Sequence, residues 1–202
     1  MIELATRQYK ADITAGALKL PESRLIANLL LEQVDAEGWK EAITTKNILQ
    51  ARSPSTARRL TQLIRSRLET MDKGLWLMVR DGTGTVATHA VFAAAVKHSH
   101  LLGDFLGIVV AQQYRIFSKT ITNSMFADYL SGCRERDPDM PQWNESTGKR
   151  LRSSVFQMLA QAGYIENTRS LSLQSVHFSE QVLHYLKAHQ ERYVLKCIQV
   201  SP

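Results

Sequence analysis

Apolar residues recur along most of this chain at intervals of three and four, the spacing of one face of an α-helix. Leu25, Ile26, Leu29, Leu30 and Val34 mark a helix over 23–34, entered through Pro21 and Ser23 and broken at Gly38. Trp39 to Ala42 is short and helical, and Thr44 or Thr45 can cap a further short helix through Ile48 and Leu49. Arg52-Ser53-Pro54 reads as a turn, with Ser53 as N-cap and Pro54 at the first helical position of a helix reaching about Met71. Leu75 to Arg80, bounded by Gly74 and by Asp81-Gly82, fits a strand or a short buried helix. Thr85 to Lys97 and Leu101 to Phe117 read as two packed helices. Asn123 can cap Ser124 to Gly132, and Asn144 to Ala162 is a long helix ended by Gly163 in the place of an αL cap. Glu180 to Tyr193 closes the chain as an amphipathic helix. One segment departs from the helical period: Tyr164-Ile165 and the alternating Leu171-Ser172-Leu173 flank Asn167-Thr168-Arg169-Ser170, the pattern of a β-hairpin.

One pattern occurs twice. Ser53-Pro54-Ser55-Thr56-Ala57-Arg58-Arg59-Leu60 returns as Asn144-Glu145-Ser146-Thr147-Gly148-Lys149-Arg150-Leu151, with four positions identical. Upstream, Ile43-Thr44-Thr45-Lys46-Asn47-Ile48 resembles Ile121-Thr122-Asn123-Ser124-Met125-Phe126. Each copy therefore reads as short helix, turn, basic helix, which is the grammar of a helix-turn-helix. The second copy has the longer turn, and the hairpin after Gly163 would be its wing.

On a helical wheel the first basic helix sorts its side chains cleanly. Ala57, Leu60, Ile64, Leu68 and Met71 form an apolar stripe, while Ser55, Arg58, Arg59, Gln62, Arg65 and Ser66 lie opposite. Arg67 falls inside the stripe, where it must snorkel or pair internally, so it is set aside as a contact. In the second helix Leu151, Val155, Met158, Leu159 and Ala162 form the stripe. Ser146, Lys149, Arg150, Ser153, Gln157 and Gln161 face away, Arg152 lies at the boundary and Phe156 lies off the stripe.

This arrangement suits DNA. Arginine offers a planar fork that matches phosphate oxygens or the guanine edge, and hydroxyls and free N–H groups at a helix start attract phosphate. The expected contacts are Ser55, Thr56, Arg58, Arg59, Gln62 and Arg65 from the first helix. From the second they are Ser146, Thr147, Lys149, Arg150, Arg152 and Ser153. A serine before a helix also serves simply as a cap, and an arginine-rich face also serves simply as a solvated one.

Composition narrows the field of functions. The chain has 202 residues, 25 Lys and Arg against 19 Asp and Glu, and a formal net charge of +6, which favours a polyanionic partner. Cys133 and Cys197 are far apart, so neither a disulfide framework nor a common zinc site is expected, and a reducing cytoplasm is the simpler home. Met1 to Gln8 has no basic region followed by an apolar core, so it does not read as a signal peptide. The apolar stretch Val86 to Phe117 is interrupted by Lys97, His98, His100, Asp104 and Arg115, so it reads as buried helices rather than a membrane span. His98-x-His100 lacks acidic companions, Asp137-x-Asp139 reads as a polar turn, and no P-loop, GxGxxG, GxSxG or HExxH occurs. No catalytic set, metal or cofactor is expected.

Leu151-Arg152-Ser153-Ser154-Val155, the run Leu159 to Glu166, and Ser55 to Leu60, together with the length, resemble the BrxA family of bacterial BREX phage-defence systems. The similarity covers nearly the whole chain. It implies a non-catalytic, double-stranded-DNA-binding component of an anti-phage island, with helix-turn-helix or winged-helix domains at both ends. Members of the family have also been compared with the RNA-binding antitermination protein NusB.

The expected fold is mostly α, with two helix-turn-helix or winged-helix-like modules around a central helical core and a short β-hairpin wing near the C-terminal end. The expected divisions are 1–80, 81–120 and 121–202. The expected partner is duplex DNA, bound mainly through its backbone, with other BREX proteins as further candidates and no membrane. Two other readings stay open: an RNA-binding NusB-like helical protein, and a scaffold whose basic faces meet acidic proteins of the defence complex.

Overall fold

The structure, a computed structural model, describes residues 8–14 and 17–201. Met1 to Arg7, on which the signal-peptide reading rests, lie outside the described residues. In chain order the helices are α1 (Leu20–Leu31), α2 (Ala36–Lys40), α3 (Pro54–Leu68), α4 (Lys73–Asp81), α5 (Gly84–His98), α6 (His100–Asp104), α7 (Ala111–Arg115), α8 (Asn123–Arg136), α9 (Glu145–Gln161), α10 (Glu180–Ala188) and α11 (Arg192–Ile198). A π turn, Glu41–Thr45, extends α2, and another, Phe105–Val110, joins α6 to α7 in one continuous run.

Side-chain caps set several of the helix starts. Ser53 is extended (φ −152°) and its hydroxyl accepts the Thr56 N–H at 3.2 Å. Asn144 accepts the Thr147 N–H at 2.8 Å, and Gly163 ends that helix at φ 86°. Thr122, not Asn123, caps α8 by accepting the Met125 N–H at 3.2 Å. Three other expectations change, and one open alternative is resolved. Gly38 does not break a helix but sits inside α2; the chain turns earlier, at Gln33 (φ 51°), and Asp35 caps α2 through the Gly38 N–H at 2.8 Å. Thr44 and Thr45 end a helical run rather than start one. Leu75 to Arg80 is helix, within α4. The closing helix is two helices, parted at Gln190 (φ 55°).

The β-hairpin wing is not present, so the expected winged element near the C-terminal end is withdrawn while the mostly-α reading stands. Among the described residues there is no strand or sheet, only the isolated antiparallel bridges Ile165–Leu173 and Thr120–Ser172. The reason is local. Leu171 sits at φ 52°, which interrupts extended backbone. The stretch after it divides its hydrogen bonds between Tyr164–Glu166 and Lys119–Ile121, so neither pairing continues into a ladder. Asn167 Oδ1 instead accepts the N–H groups of Arg169 and Ser170, at 2.8 and 2.9 Å, and holds a tight polar turn.

The helices form two compact units. The first comprises Leu18–His98 and Ser179–Gln190. Its centre is α5, whose Ala87, Ala90, Val91, Phe92, Ala93, Ala94, Ala95 and Val96 are all buried. A helix apolar on every side must be enclosed, and α1, α3, α4 and α10 pack around it. Small alanines let those neighbours approach closely. Arg67 is 1% exposed, so it does not snorkel and belongs to this core rather than to an outer face. Burial thus explains the apolar stretch from Val86, and no described helix is long and apolar enough to cross a membrane.

The second unit comprises the described parts of Met1–Ala17, Ser99–Phe178 and Glu191–Pro202. Phe105 pairs with Phe126, Tyr129 and Phe156 at ring-centroid separations of 5.3, 5.2 and 6.1 Å. Phe156, off the stripe by sequence, is therefore a core residue. A polar network ties the N-terminal segment into this unit. The Tyr9 N–H donates to Asp137 Oδ2 at 2.8 Å, and the Tyr9 hydroxyl donates to Asp104 Oδ2 at 2.6 Å. Arg136 Nε donates to the Tyr9 hydroxyl at 3.0 Å, and the Tyr193 hydroxyl donates to Asp104 Oδ1 at 3.1 Å. Burial and the hydrogen bond to Asp104 push the Tyr9 phenol up to about 12. Burial also raises the Tyr193 phenol and the Cys133 thiol above their usual values.

Phe117 stands out in this unit. It is 90% exposed and lies at φ 54°, directly after the helical run ends. Its N–H bonds to Tyr114 O at 3.1 Å and the Ser118 N–H bonds to Gln113 O at 2.9 Å, which is the Schellman ending that favours glycine at that position. A bulky side chain there costs about 1 kcal/mol. Phe117→Gly is therefore expected to raise stability by about 1 kcal/mol, or the melting temperature by roughly 2–4 °C. Thermal denaturation followed by circular dichroism checks this; an unchanged or lower transition would mean that the phenyl ring is held by contacts rather than strained.

Candidate nucleic-acid interface

Each basic helix sits in its own unit, α3 in the first and α9 in the second. On α3 the expected division of faces holds: Ala57, Ile64 and Leu68 are buried, while Arg58, Arg59 and Gln62 are exposed. Arg58 and Arg59 have no ion-pair partner among the described residues. Arg65 differs. Its Nε donates to Glu69 Oε1 at 2.6 Å, and its guanidinium lies 4.7 Å from the centroid of the Trp39 ring, so most of its charge is already engaged. Ser55 and Thr56 place their hydroxyls 3.0 Å from Ser53 Oγ, which makes them part of the cap.

The outer face of α3 is not uniform. Arg58, Gln62 and Arg65 form one wall of a recess of about 410 Å³, and Trp39, Lys40, Ile43 and Thr44 of α2 and its π turn form the other. Arg59 does not line it. Sequence reading missed the Trp39–Lys40 wall because helical spacing relates residues within one helix and says nothing of its neighbour.

On α9, Leu151, Val155, Phe156, Met158 and Leu159 are buried, and Ser146, Lys149, Arg150, Ser153 and Gln157 are exposed. Ser146 Oγ donates to Asn144 Oδ1 at 2.8 Å, and the Thr147 N–H is used by the same cap. Lys149 Nζ lies 2.6 Å from Glu145 Oε1 one turn earlier, and this lysine holds the Glu145 carboxyl below its usual range. The pair offsets one of the expected cations. Arg150 and Arg152 have no ion-pair partner among the described residues. Arg152, Ser153 and Gln157 converge with Asn123 at the start of α8 and Thr168 of the polar turn around a recess of about 370 Å³. Asn123 and Thr168 carry no sequence signal for this role, since the fold alone brings them beside α9.

The Trp76 indole N–H donates to Leu68 O at 2.8 Å, and the buried Tyr164 hydroxyl donates to Ile198 O. His89 is buried and its Nδ1 accepts the Ser179 N–H at 2.9 Å, while the His100 ring packs edge-on to Tyr193. Among the described residues no group of three His, Cys, Asp or Glu side chains can hold a metal ion.

Comparison with known proteins bears on the whole chain. The family model described as BrxA matches residues 7–190. The BREX protein BrxA of Paramagnetospirillum magneticum (strain ATCC 700264 / AMB-1) is 52% identical over 198 residues, covering 98% of this chain and 100% of that protein. The BREX protein BrxA of Escherichia coli O9:H4 (strain HS) is 34% identical over 171 residues, covering 85% of this chain and 80% of that protein. A solved structure described as the crystal structure of an uncharacterized protein from Magnetospirillum magneticum superposes with a TM-score of 0.91 at 50% identity, covering 96% of this chain and 100% of that one.

Proposed function

The chain belongs to the BrxA family, and with that as premise we propose that it is a non-catalytic, duplex-DNA-binding component of a BREX phage-defence system. It would work in the bacterial cytoplasm, without cofactor or metal. The observation that carries this reading is a pair of capped helices that each expose uncompensated arginine in their first two turns, Arg58 and Arg59 on α3 and Arg150 on α9, with half-buried Arg152 following on α9. Cations there meet phosphate oxygens, and the helix starts add N–H groups and partial positive charge. Ser55, Thr56, Ser146, Thr147 and Ser153 sit at the edges of these faces, with Gln62 and Gln157 further along. Nothing in this arrangement selects a base sequence, so backbone contact dominates the proposal.

Binding of this kind is expected to fall steeply with salt. With about four phosphates neutralised, log affinity against log salt should have a slope of about −3.6, so a rise from about 50 to about 200 mM costs on the order of 150-fold. An electrophoretic shift of a blunt duplex at the two concentrations measures it. A flat salt response, or a structured RNA that displaces the duplex at equal concentration, would remove duplex DNA as the ligand. Negligible affinity for either nucleic acid would favour a scaffold instead.

A further inference from the structure

We propose that the recess between α2 and α3 is a binding site for a nucleoside phosphate. Its volume of about 410 Å³ lies within the roughly 300–1,000 Å³ of ordinary small-molecule sites. Its chemistry has two halves. Trp39 and Ile43 offer apolar surface, and the Arg65 guanidinium lies over one face of the Trp39 ring, 4.7 Å from its centroid, as a flat group on which a planar ring can itself stack. Lys40 and Arg58 supply cations at the edge of the same recess. Lys40 is only loosely engaged, 3.6 Å from Glu37 with both side chains largely exposed, and Arg58 has no ion-pair partner among the described residues. A flat ring joined to a phosphate satisfies both halves at once.

A further observation points the same way. Thr61 lines the recess, and its Oγ1 is buried with no hydrogen-bond partner. A helical threonine ordinarily donates to the carbonyl one turn back, and a buried hydroxyl left without a partner calls for an explanation. A different χ1 rotamer can turn this donor toward the recess that Thr61 lines, where a ligand oxygen would accept it. A duplex is convex, so its phosphates can reach exposed Arg58 and Arg59 without reaching the floor at Thr61. Arg58 is shared with the proposed duplex contacts, whereas Trp39, Lys40 and Thr61 belong to the recess alone.

The test uses the full chain and adenosine 5′-monophosphate, followed by calorimetry and by tryptophan fluorescence. Saturable binding is expected, with adenosine and inorganic phosphate each at least roughly 10-fold weaker because each fills one half. Thr61→Val, which keeps the shape, should weaken binding roughly 10-fold, and Trp39→Phe should remove the fluorescence change. Both variants should leave duplex binding within about two-fold, since neither removes a phosphate-neutralising charge. A 5′-phosphorylated short single strand serves as a second probe, and separates a free nucleotide from a strand end. Failure of the monophosphates of all four common nucleosides and of the strand to bind saturably would overturn the proposal, as would binding that Thr61→Val and Lys40→Met leave unchanged. Loss of duplex binding alone would count against the DNA reading and not against this site.

Discussion

Asp104→Ala is expected to destabilise the protein by about 3 kcal/mol, and to lower its melting temperature by roughly 6–12 °C. Asp104 is 4% exposed and accepts from two tyrosine hydroxyls, Tyr9 at 2.6 Å and Tyr193 at 3.1 Å. Alanine removes both acceptors, leaves the Tyr9 hydroxyl without one and Tyr193 with its 3.5 Å bond to His100 O, and takes away the carboxylate that faces the Arg136–Tyr9 pair. Asp104→Asn retains one oxygen acceptor and should lose about half as much. Calorimetric unfolding of the two variants decides the matter, and a loss below about 1 kcal/mol for the alanine variant would show the network to be ornamental. The same network makes a pH prediction. The Tyr9 phenol is raised from 10.0 to about 12 in the folded chain, so folding holds its proton more tightly. That contribution is complete below pH 10 and is lost as pH rises from about 10 to 12. Stability should therefore fall across that window, and less so in Tyr9→Phe.

Arg58→Glu combined with Arg59→Glu is expected to lower duplex affinity on the order of 100-fold or more at about 100 mM salt, and to flatten the salt slope by about two. Each substitution removes a phosphate-neutralising cation and places an anion in its stead. Both side chains are exposed and neither has an ion-pair partner among the described residues, so the unfolding transition should stay where it is. Arg65→Gln gives the contrast. Its guanidinium is engaged by Glu69 and Trp39, so its loss should cost less affinity and disturb the α2–α3 packing more. Equal affinity of the double variant and the parent chain would take α3 out of the interface and leave α9 to carry it alone.

How much of this was legible without the fold differs from element to element. Ser53, Pro54, Asn144 and Gly163 announce helix ends because a cap is made within a few residues of itself. Caps one residue off, as at Thr122 for Asn123, are the ordinary ambiguity between neighbouring hydroxyl and amide groups. The upstream half of the repeat was an echo in letters only: Thr44 and Thr45 finish a helical run, while Thr122 begins one. The wing failed for a related reason. Alternation in Leu171-Ser172-Leu173 suits a strand, but backbone at φ 52° at Leu171 and hydrogen bonds shared with 119–121 prevent a continuous pair.

The mostly helical fold, the two capped basic helices with their buried and outward faces, and the family are all legible in the order of residues, because these rest on short-range periodicity and on residue-by-residue likeness. The rest follows from packing. It set Trp39 and Lys40 against α3, brought Asn123 and Thr168 beside Arg152, enclosed Arg67, and joined Tyr9 to Asp104 and Arg136 across separations of 95 and 127 residues. Chain-distant groups meet through the packing of apolar faces, which is non-directional, so no spacing in the sequence records which polar side chains that packing brings together.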